Sequence, residues 1–558
     1  MTMKRARWIA RAFVLLYFLA LCAGLKSAAL TDDDDFYVPA GISYGEWVLK
    51  ALRFEPVFDR ASIDKAFEPN HEHPPLAKIV FGLCHFLLRG WLGPTDSARV
   101  GTMLFSTLAA WLVLGLALRH LGPERGLRVG GLAVLAMATL PRFYFHSHAA
   151  TLDVPVAAMY LAAASTALAA ERSTAAAILA GPVFGLALAT KLNAPFLLLA
   201  YVPFVLITRG LIGSRRIARP KALGLPIPPI PLALLSMGII GPLVFFALWP
   251  WLWAAPIDRV TQYVAFHLHH YPIYFLYFGR VFVGDPIAPW HAPFMTTLFT
   301  VPSVTLVLAG IGFLAAWPAI RLRRRFLEGP DDDHRRAGDL WLFVLLNAAV
   351  TIGVVAFAGT PIYGGEKLFM PLFPFLCLLA GLGADVLYTA ILNLSWPSAT
   401  EARSKWLGLG VATLASLSGV ALMLRFWGYP LSEFNGIANG LRGATAYGFE
   451  RQYYDLAYRD LVAWLNTEAG PRVKVHFLPN NWEYVRTFRW YQRAGEVRPE
   501  VEVVGSEQEA ELIVLTHERR FARYGDDLAR ARGYQVLKEK LVDGVPVWSI
   551  LRRTPRKE

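Results

Sequence analysis

Residues 68–82 read EPNHEHPPLAKIVFG. Two glutamates and two histidines stand around a Pro-Pro pair, and an apolar run follows at once. If that run crossed a bilayer, the ionisable groups would mark a helix end. If it lies along the surface, they belong to a long loop covering one mouth of a helical bundle. The prolines prevent a regular helix through residues 74–75 and fix the entry into the next one. The following segment, HPPLAKIVFGLCHFLLRGWLG, looks like an amphipathic helix lying at the interface rather than spanning. The preceding TDDDDFYVPAGISYGEWVLKAL (31–52) has the same character. Residues 31–97 are therefore predicted to form one long outer loop with interfacial helices.

The rest of the chain makes a membrane setting necessary. Of 558 residues, 55% are hydrophobic and 17% charged, too little charge for a soluble protein of this size. Apolar runs long enough to cross a bilayer are predicted near 8–30, 98–118, 128–145, 153–170, 174–190, 194–208, 230–252, 294–318, 339–359, 367–389 and 406–427. The formal charge of +13 resides largely in short loops, which is the pattern that sets membrane orientation. No basic stretch is interleaved with aromatics, so nucleic acid is not an expected partner. Cys22, Cys84 and Cys377 have no CxxC partner and read as small buried hydrophobes. The basic N-terminus before the first run resembles a signal peptide without a small-residue cleavage site and is read as a retained span.

The basic loops include Lys4, Arg5 and Arg7, Arg119 to Arg128, RGLIGSRRIARPK (209–221) and RLRRRFLEGPDDDHRR (321–336). FHSHAAT, TKLNAP and TPIYGGEK, on the other side, are nearly free of basic residues. This bias puts the first set in the cytoplasm together with the N-terminus. Residues 31–97, the histidine-rich loop 254–293 and residues 430–558 then face outward. Residues 1–429 form the membrane module. Residues 430–558 have ordinary soluble composition, and their alternating helix and strand patterns predict a small α/β domain ending in a hairpin.

Four groups of residues suggest chemistry. Asp32 to Asp35 follow the first span, either as a solvated helix start or as a source of a general base. Asp153 in LDVP opens another span, where it suits an N-cap and is favoured in its charged form by the helix terminus. Glu72, His73 and Lys78 belong to the stretch quoted first. Lys367, with Tyr363 upstream and a Gly-Gly pair between them, is a cation on the outer side, either snorkelling or holding a phosphate. Arg280 and Lys191 are further cations of that kind. His267, His269, His270 and His291 read as loop structure or acceptor contacts.

Taken in order, these features resemble the GT-C membrane glycosyltransferases. The likeness is to glycosyltransferase family 39, the protein O-mannosyltransferases, and to relatives that transfer aminoarabinose to lipid A. Asp33-Asp34-Asp35-Phe36-Tyr37 resembles the family's acidic pair in the first outer loop, with Asp33 in the catalytic place and Asp34 beside it. HPPLAK (73–78) is similar to its His-Pro-Pro-Leu-x-Lys motif, Asp153 to its second acidic position, and Lys367, Pro371 and Pro374 to its late Lys-x-x-x-Pro-x-x-Pro pattern. The resemblance implies the GT-C fold for a chain whose apolar runs predict about eleven transmembrane helices and whose C-terminal part predicts a soluble α/β domain. It further implies inverting transfer of a sugar from a polyprenyl-phosphate donor to a hydroxyl acceptor, protein or envelope glycolipid, at the outer face of the cell inner membrane.

On this reading Asp33 is the base, with Asp34 and Asp153 as catalytic partners. Glu72, His73, Lys78, Arg280, Tyr363 and Lys367 bind substrate. A divalent metal on Asp33, Glu72 and His73 is compatible with these ligand types but not demanded. The rival reading from another class is a transporter or flippase for a lipid-linked sugar, which would place ionisable groups at membrane depth.

Overall fold

The computed structural model describes residues 1–208, 221–222, 225–226, 230–269, 272–284, 286–325, 332–357, 360, 362–394 and 401–552. His270 and much of the basic loops 209–221 and 321–336 lie outside these residues. The membrane part comprises α1 (Met3–Gly24), α2 (Asp32–Leu52), α3 (Arg60–Phe67), α4 (Leu76–Leu92), α5 (Pro94–Leu121), α6 (Pro123–Ala138), α7 (Pro141–His148) and α8 (Asp153–Ala170). It continues through α9 (Thr174–Leu188), α10 (Phe196–Thr208), α11 (Leu232–Leu248), α12 (Pro256–Leu268), α13 (Ala292–Thr300), α14 (Ser303–Arg325), α15 (Asp332–Ala356), α16 (Leu372–Asn393), α17 (Glu401–Ser416) and α18 (Gly419–Arg425).

Among the described residues, seven helical stretches are long and apolar enough to cross a membrane: Met3–Ser27, Pro94–Leu121, Asp153–Ala170, Ser303–Arg321, Asp333–Ala356, Leu372–Asn393 and Ala402–Arg425. Helices α9, α10 and α11 are shorter and apolar. Neither α2 nor α4 belongs to either group. The span expected at 128–145 is broken. Helix α6 ends at Ala138, Leu140 is extended (ψ 108°) and Pro141 opens α7, because the residue before a proline is driven out of the helical region.

With lipid on the outside, helices associate through close packing rather than through the hydrophobic effect. The crossing of α14 and α16 depends on Gly312 and Gly383. A Cβ on Gly312 would fall 1.8 Å from the Leu379 carbonyl oxygen, and one on Gly383 would fall 1.9 Å from that of Leu308. Helix α2 lies against α4 through the same device: a Cβ on Gly82 would fall 1.9 Å from the Gly41 carbonyl oxygen. This contact holds the two halves of the 31–97 loop together at the mouth of the bundle. A satellite core of Tyr44, Trp47, Phe67, Trp249, Trp251 and Tyr263 then joins that loop to the 249–263 segment.

The C-terminal part adds α19 (Gly440–Ala446), α20 (Arg459–Thr467), α21 (Asn481–Arg493) and α22 (Tyr524–Ala531) around a five-stranded sheet. Strand order is Val501–Val503, Val473–Leu478, Leu512–Leu515, Val545–Arg552, Gln535–Val542. The first three strands are parallel, and the last two form an antiparallel hairpin. Asp543 and Gly544 both take positive φ at its turn, the requirement of a two-residue hairpin loop. The expected helices and strands are present, and the short strand Val501–Val503 adds to them.

One buried pair fastens the start of α2. Thr31 and Asp34 form a capping box, satisfying two backbone donors reciprocally. Asp34 also accepts from Arg99 Nε on α5 at 3.2 Å, from the Ala150 amide at 2.9 Å and from the Tyr491 hydroxyl of α21 at 3.2 Å, and a second Arg99 nitrogen donates to it. Asp34 and Arg99 are both fully buried. The Arg99 guanidinium and these donors hold Asp34 below the usual carboxylate range, against the opposing effect of burial. Arg99→Leu leaves that carboxylate buried and uncompensated, which costs about 3–5 kcal/mol. It is expected to lower the thermal midpoint in detergent markedly. A carboxyl held low in the folded state stabilises above its unfolded pKa of about 3.9 and loses that effect as pH falls through the folded value. The gap between wild type and Arg99→Leu should therefore narrow in acid, starting above about pH 4 as the variant's uncompensated carboxyl takes up a proton and continuing below it as wild type loses the pair, in melts recorded across pH.

Candidate active site

A cavity of about 610 Å³ opens beside the first turn of α2. Its floor carries Asp32, Asp33, Tyr37, Glu72 and His73. One wall is Tyr363, Gly364 and Lys367, and the roof comes from Tyr453, Tyr454, Asn480, Trp482, Arg486 and Arg520 of the C-terminal part. The four aspartates fan out because successive helical residues turn by about 100°. Asp32 and Asp33 face the cavity, and Asp34 points into the bundle toward Arg99. Asp35 receives Arg486 Nε at 3.0 Å and the Thr487 hydroxyl at 3.2 Å from α21. Asp34 thus uses its oxygens in the scaffold, and the expectation that it takes part in catalysis is corrected.

The motif HPPLAK has a structural explanation. Lys78 is fully buried and donates to the Asn70 side-chain oxygen at 3.0 Å, the His73 carbonyl at 2.7 Å, the Tyr44 hydroxyl at 3.2 Å and the Asn70 carbonyl. An ammonium has three N–H donors, so these acceptors account for all of them. Burial pushes its pKa well below that of an ordinary lysine. Lys78 is absent from the cavity wall and pins the irregular 68–75 turn from behind, which corrects the expectation that it binds substrate. The pinned turn presents Glu72 and His73 to the cavity. Asn70 steadies Glu72 at 2.8 Å, and the His73 ring packs edge-on against Phe266 and His267.

Lys367 reaches the cavity through its glycine turn. Gly364 and Gly365 take φ of 61° and 57°, which side-chain-bearing residues rarely adopt, and a Cβ on Gly365 would fall 2.6 Å from the Tyr453 ring. The ammonium sits 4.7 Å from the Tyr454 ring centre and 5.6 Å from that of Tyr363. Burial would lower its pKa, but Asp33, Asp153 and Asp32 more than reverse this and hold it charged above its ordinary value. Burial pushes Asp33 up, with Lys367 the strongest opposing influence. It pushes Asp32 well up, with the charges of Asp33 and Asp455 adding to the effect. Asp33 is therefore the readier of the two to ionise.

Asp153 lies behind the cavity rather than in its wall. It accepts from Lys191 Nζ at 2.7 Å and from the Tyr454 hydroxyl at 2.8 Å, with His146 Nδ1 3.3 Å away. Its expected catalytic contact with substrate is corrected to a supporting position beneath Tyr454, and Lys191 is its partner. Arg280 is exposed on a hairpin strand and stacks on Phe282, which removes it from the site. Among the described residues no group of three or more His, Cys, Asp or Glu is placed to hold a metal ion. Asp33, Glu72 and His73 line one cavity without forming such a cluster.

Residues 453–455, 480–486 and 520–521 were not foreseen. The Tyr453 hydroxyl donates to Glu366 at 2.8 Å and lies 2.9 Å from His146 Nε2, while Arg142 binds Glu366 at 3.0 Å. This network locks the turn that carries Lys367 to α7. The only sequence signal was the paired tyrosine in a polar stretch, ERQYYD (450–455).

Residues 72–227 match the profile of the family described as dolichyl-phosphate-mannose-protein mannosyltransferase. No curated protein sequence matches the chain. Among solved structures, ArnT from Cupriavidus metallidurans in the apo state is similar over 99% of this chain and 100% of its own, with TM-score 0.50 and 16% identity. ArnT from the same organism bound to undecaprenyl phosphate is similar over 98% of both chains, with TM-score 0.50 and 15% identity. The archaeal oligosaccharyltransferase AglB from Archaeoglobus fulgidus, in complex with an inhibitory peptide and a dolichol-phosphate, is similar over 97% of this chain and 74% of its own, with TM-score 0.47 and 12% identity. This chain is a multi-pass helical membrane protein with the GT-C fold of membrane glycosyltransferases, carrying a C-terminal α/β domain.

Proposed function

We propose that the chain is an inverting glycosyltransferase that moves a sugar from a polyprenyl-phosphate donor to a hydroxyl acceptor. The observation that carries this reading is Asp33 and Lys367 facing a common cavity, one able to take a proton and the other to hold an anion. The matched family is described by a lipid-phosphate sugar donor, and one structural relative was captured with undecaprenyl phosphate. A sugar leaving as its anomeric phosphate needs no acid, because the phosphate is stable as an anion. It needs a cation where charge develops, which is the task of Lys367, with Tyr363 beside it. The acceptor hydroxyl loses its proton to Asp33 as its oxygen attacks the anomeric carbon. The carbon–phosphate oxygen bond breaks on the opposite face, so the configuration inverts.

Tyr454 links Asp153 to the Lys367 side of the cavity and keeps both oriented. Glu72 and His73 contact the sugar or the acceptor. The acceptor is a protein or envelope glycolipid hydroxyl at the outer face of the inner membrane, reached beneath the roof supplied by residues 430–558.

Asp33→Asn should lower kcat by about 10²–10⁴-fold while donor affinity is kept, in transfer assays with radiolabelled polyprenyl-phosphate sugars. Donor movement across the membrane without transfer would favour the transport reading instead. Undiminished transfer would take the base role from Asp33.

The pH dependence has a definite sign. The base must be ionised, and burial raises Asp33, so kcat/KM should fall on acidification with a midpoint above the ordinary aspartate value of about 3.9. The two cavity carboxylates titrate as a pair. Asp32 is the harder of the two to ionise and stays neutral while Asp33 titrates, so Asp32→Asn should leave this limb nearly in place. Lys367→Gln removes the main opposing cation and should move it to higher pH while weakening donor binding. pH–rate profiles of the three proteins check all of these shifts.

A further inference from the structure

A second cavity, of about 540 Å³, lies at the other end of the bundle. Helix α5 runs from Arg99, beside Asp34, to Arg119, which lines this cavity. Twenty helical residues span about 30 Å, the thickness of a bilayer core. It is therefore the face opposite the acidic site, which the Lys and Arg bias assigns to the cytoplasm.

Its wall has two parts. Arg7 and Arg11 of α1, Arg119 of α5 and Arg336 of α15 supply positive charge, and among the described residues no aspartate or glutamate lines it. Trp111, Leu112, Leu114 and Leu116 supply an apolar side. Each arginine taken singly is ordinary for a membrane protein, since cations gather at the cytoplasmic ends of spans. Their convergence from three helices on one void is different. Among the described residues, Arg7, Arg11 and Arg119 make no ion pair. Like charges that share one cavity repel, and an anion between them relieves the repulsion.

We propose that this cavity binds an anionic phospholipid, with its phosphate among Arg7, Arg11, Arg119 and Arg336 and an acyl chain along Trp111 and its apolar neighbours. A basic pocket between transmembrane helices on that side is suited to such headgroups. The half-polar, half-apolar wall fits a lipid better than a free phosphate, which would leave the apolar side unused. The site is separate from the sugar-transfer cavity and does not depend on the function proposed for it.

Native mass spectrometry of the delipidated full-length protein tests this, by titration with phosphatidylglycerol, cardiolipin and phosphatidylethanolamine of matched chains. One anionic lipid should be retained in preference to the zwitterionic one. Arg11→Gln/Arg119→Gln should weaken that binding by at least tenfold, since each cation near a lipid headgroup is worth about fivefold. Arg11→Lys/Arg119→Lys should retain most of it. The anionic lipid should also raise the thermal midpoint of wild type more than that of the Gln variant. If the Gln pair does not fold, Arg119→Gln alone should still show about a fivefold loss. Equal binding of phosphatidylethanolamine, or unchanged binding by the Gln variants, would overturn the proposal. So would full displacement of the lipid by millimolar inorganic phosphate.

Discussion

The whole arrangement turns on the ion pair between Asp34 and Arg99, sealed from solvent where α2 begins. Two charges removed from water are stable together only when their remaining hydrogen-bonding capacity is met. Here it is met from several directions: the Thr31 cap, the Ala150 amide that precedes α8, and Tyr491 from α21. The pair therefore fixes the rotation of α2 about its axis and the positions of its neighbours. With Asp34 turned inward, Asp33 and Asp32 face the cavity, and Asp35 meets Arg486. A run of like charges that would repel as a cluster is resolved by sending its members into different surroundings.

A similar division separates scaffold from chemistry in the histidine-proline stretch. Two prolines deny the chain a helix, and the unpaired carbonyls that result need donors. Lys78 supplies them from within α4, and Gly82 on the same helix lets α2 approach backbone to backbone. The outcome is a rigid, non-helical turn at the mouth of the bundle. Such backbone is tolerated near a membrane where protein encloses it or a cavity borders it. Glu72 and His73 project from that turn because Lys78 does not.

Much of the fold was legible because bilayer thickness and residue periodicity act locally. The span at 153–170 and the strands of the C-terminal sheet follow from such local rules, and the break at Pro141 could have been read from one. The site was legible in part. Asp33, Glu72, His73 and Lys367 stand out by their likeness to family motifs, and all four line one cavity. What failed was orientation. Lys78 and Lys367 look alike in sequence, and only packing reveals that one faces backbone carbonyls and the other a void. Asp34 and Asp33 differ by a single helical step. Tyr453 and Tyr454 reach the site by long-range contact, with Tyr454 meeting an aspartate 301 residues earlier, which no local spacing rule anticipates.

These long-range contacts give the C-terminal part more than a covering role. Arg486 reaches Asp35, Tyr491 reaches Asp34, and Tyr454 stands over Lys367 while bonded to Asp153. The first turn of α2 thus supplies two of the cavity's acidic groups, Asp32 and Asp33, and the anchors for its roof, Asp34 and Asp35, within four consecutive residues. Any displacement of the roof pulls on the helical turn that orients Asp33, and any rotation of that turn loosens the roof. Loss of Tyr454 would also uncover the cationic side of the cavity and admit water, weakening the hold on an anion. Closure of the cavity and the charge state of its groups are consequently one physical property, set by contacts from both ends of the chain.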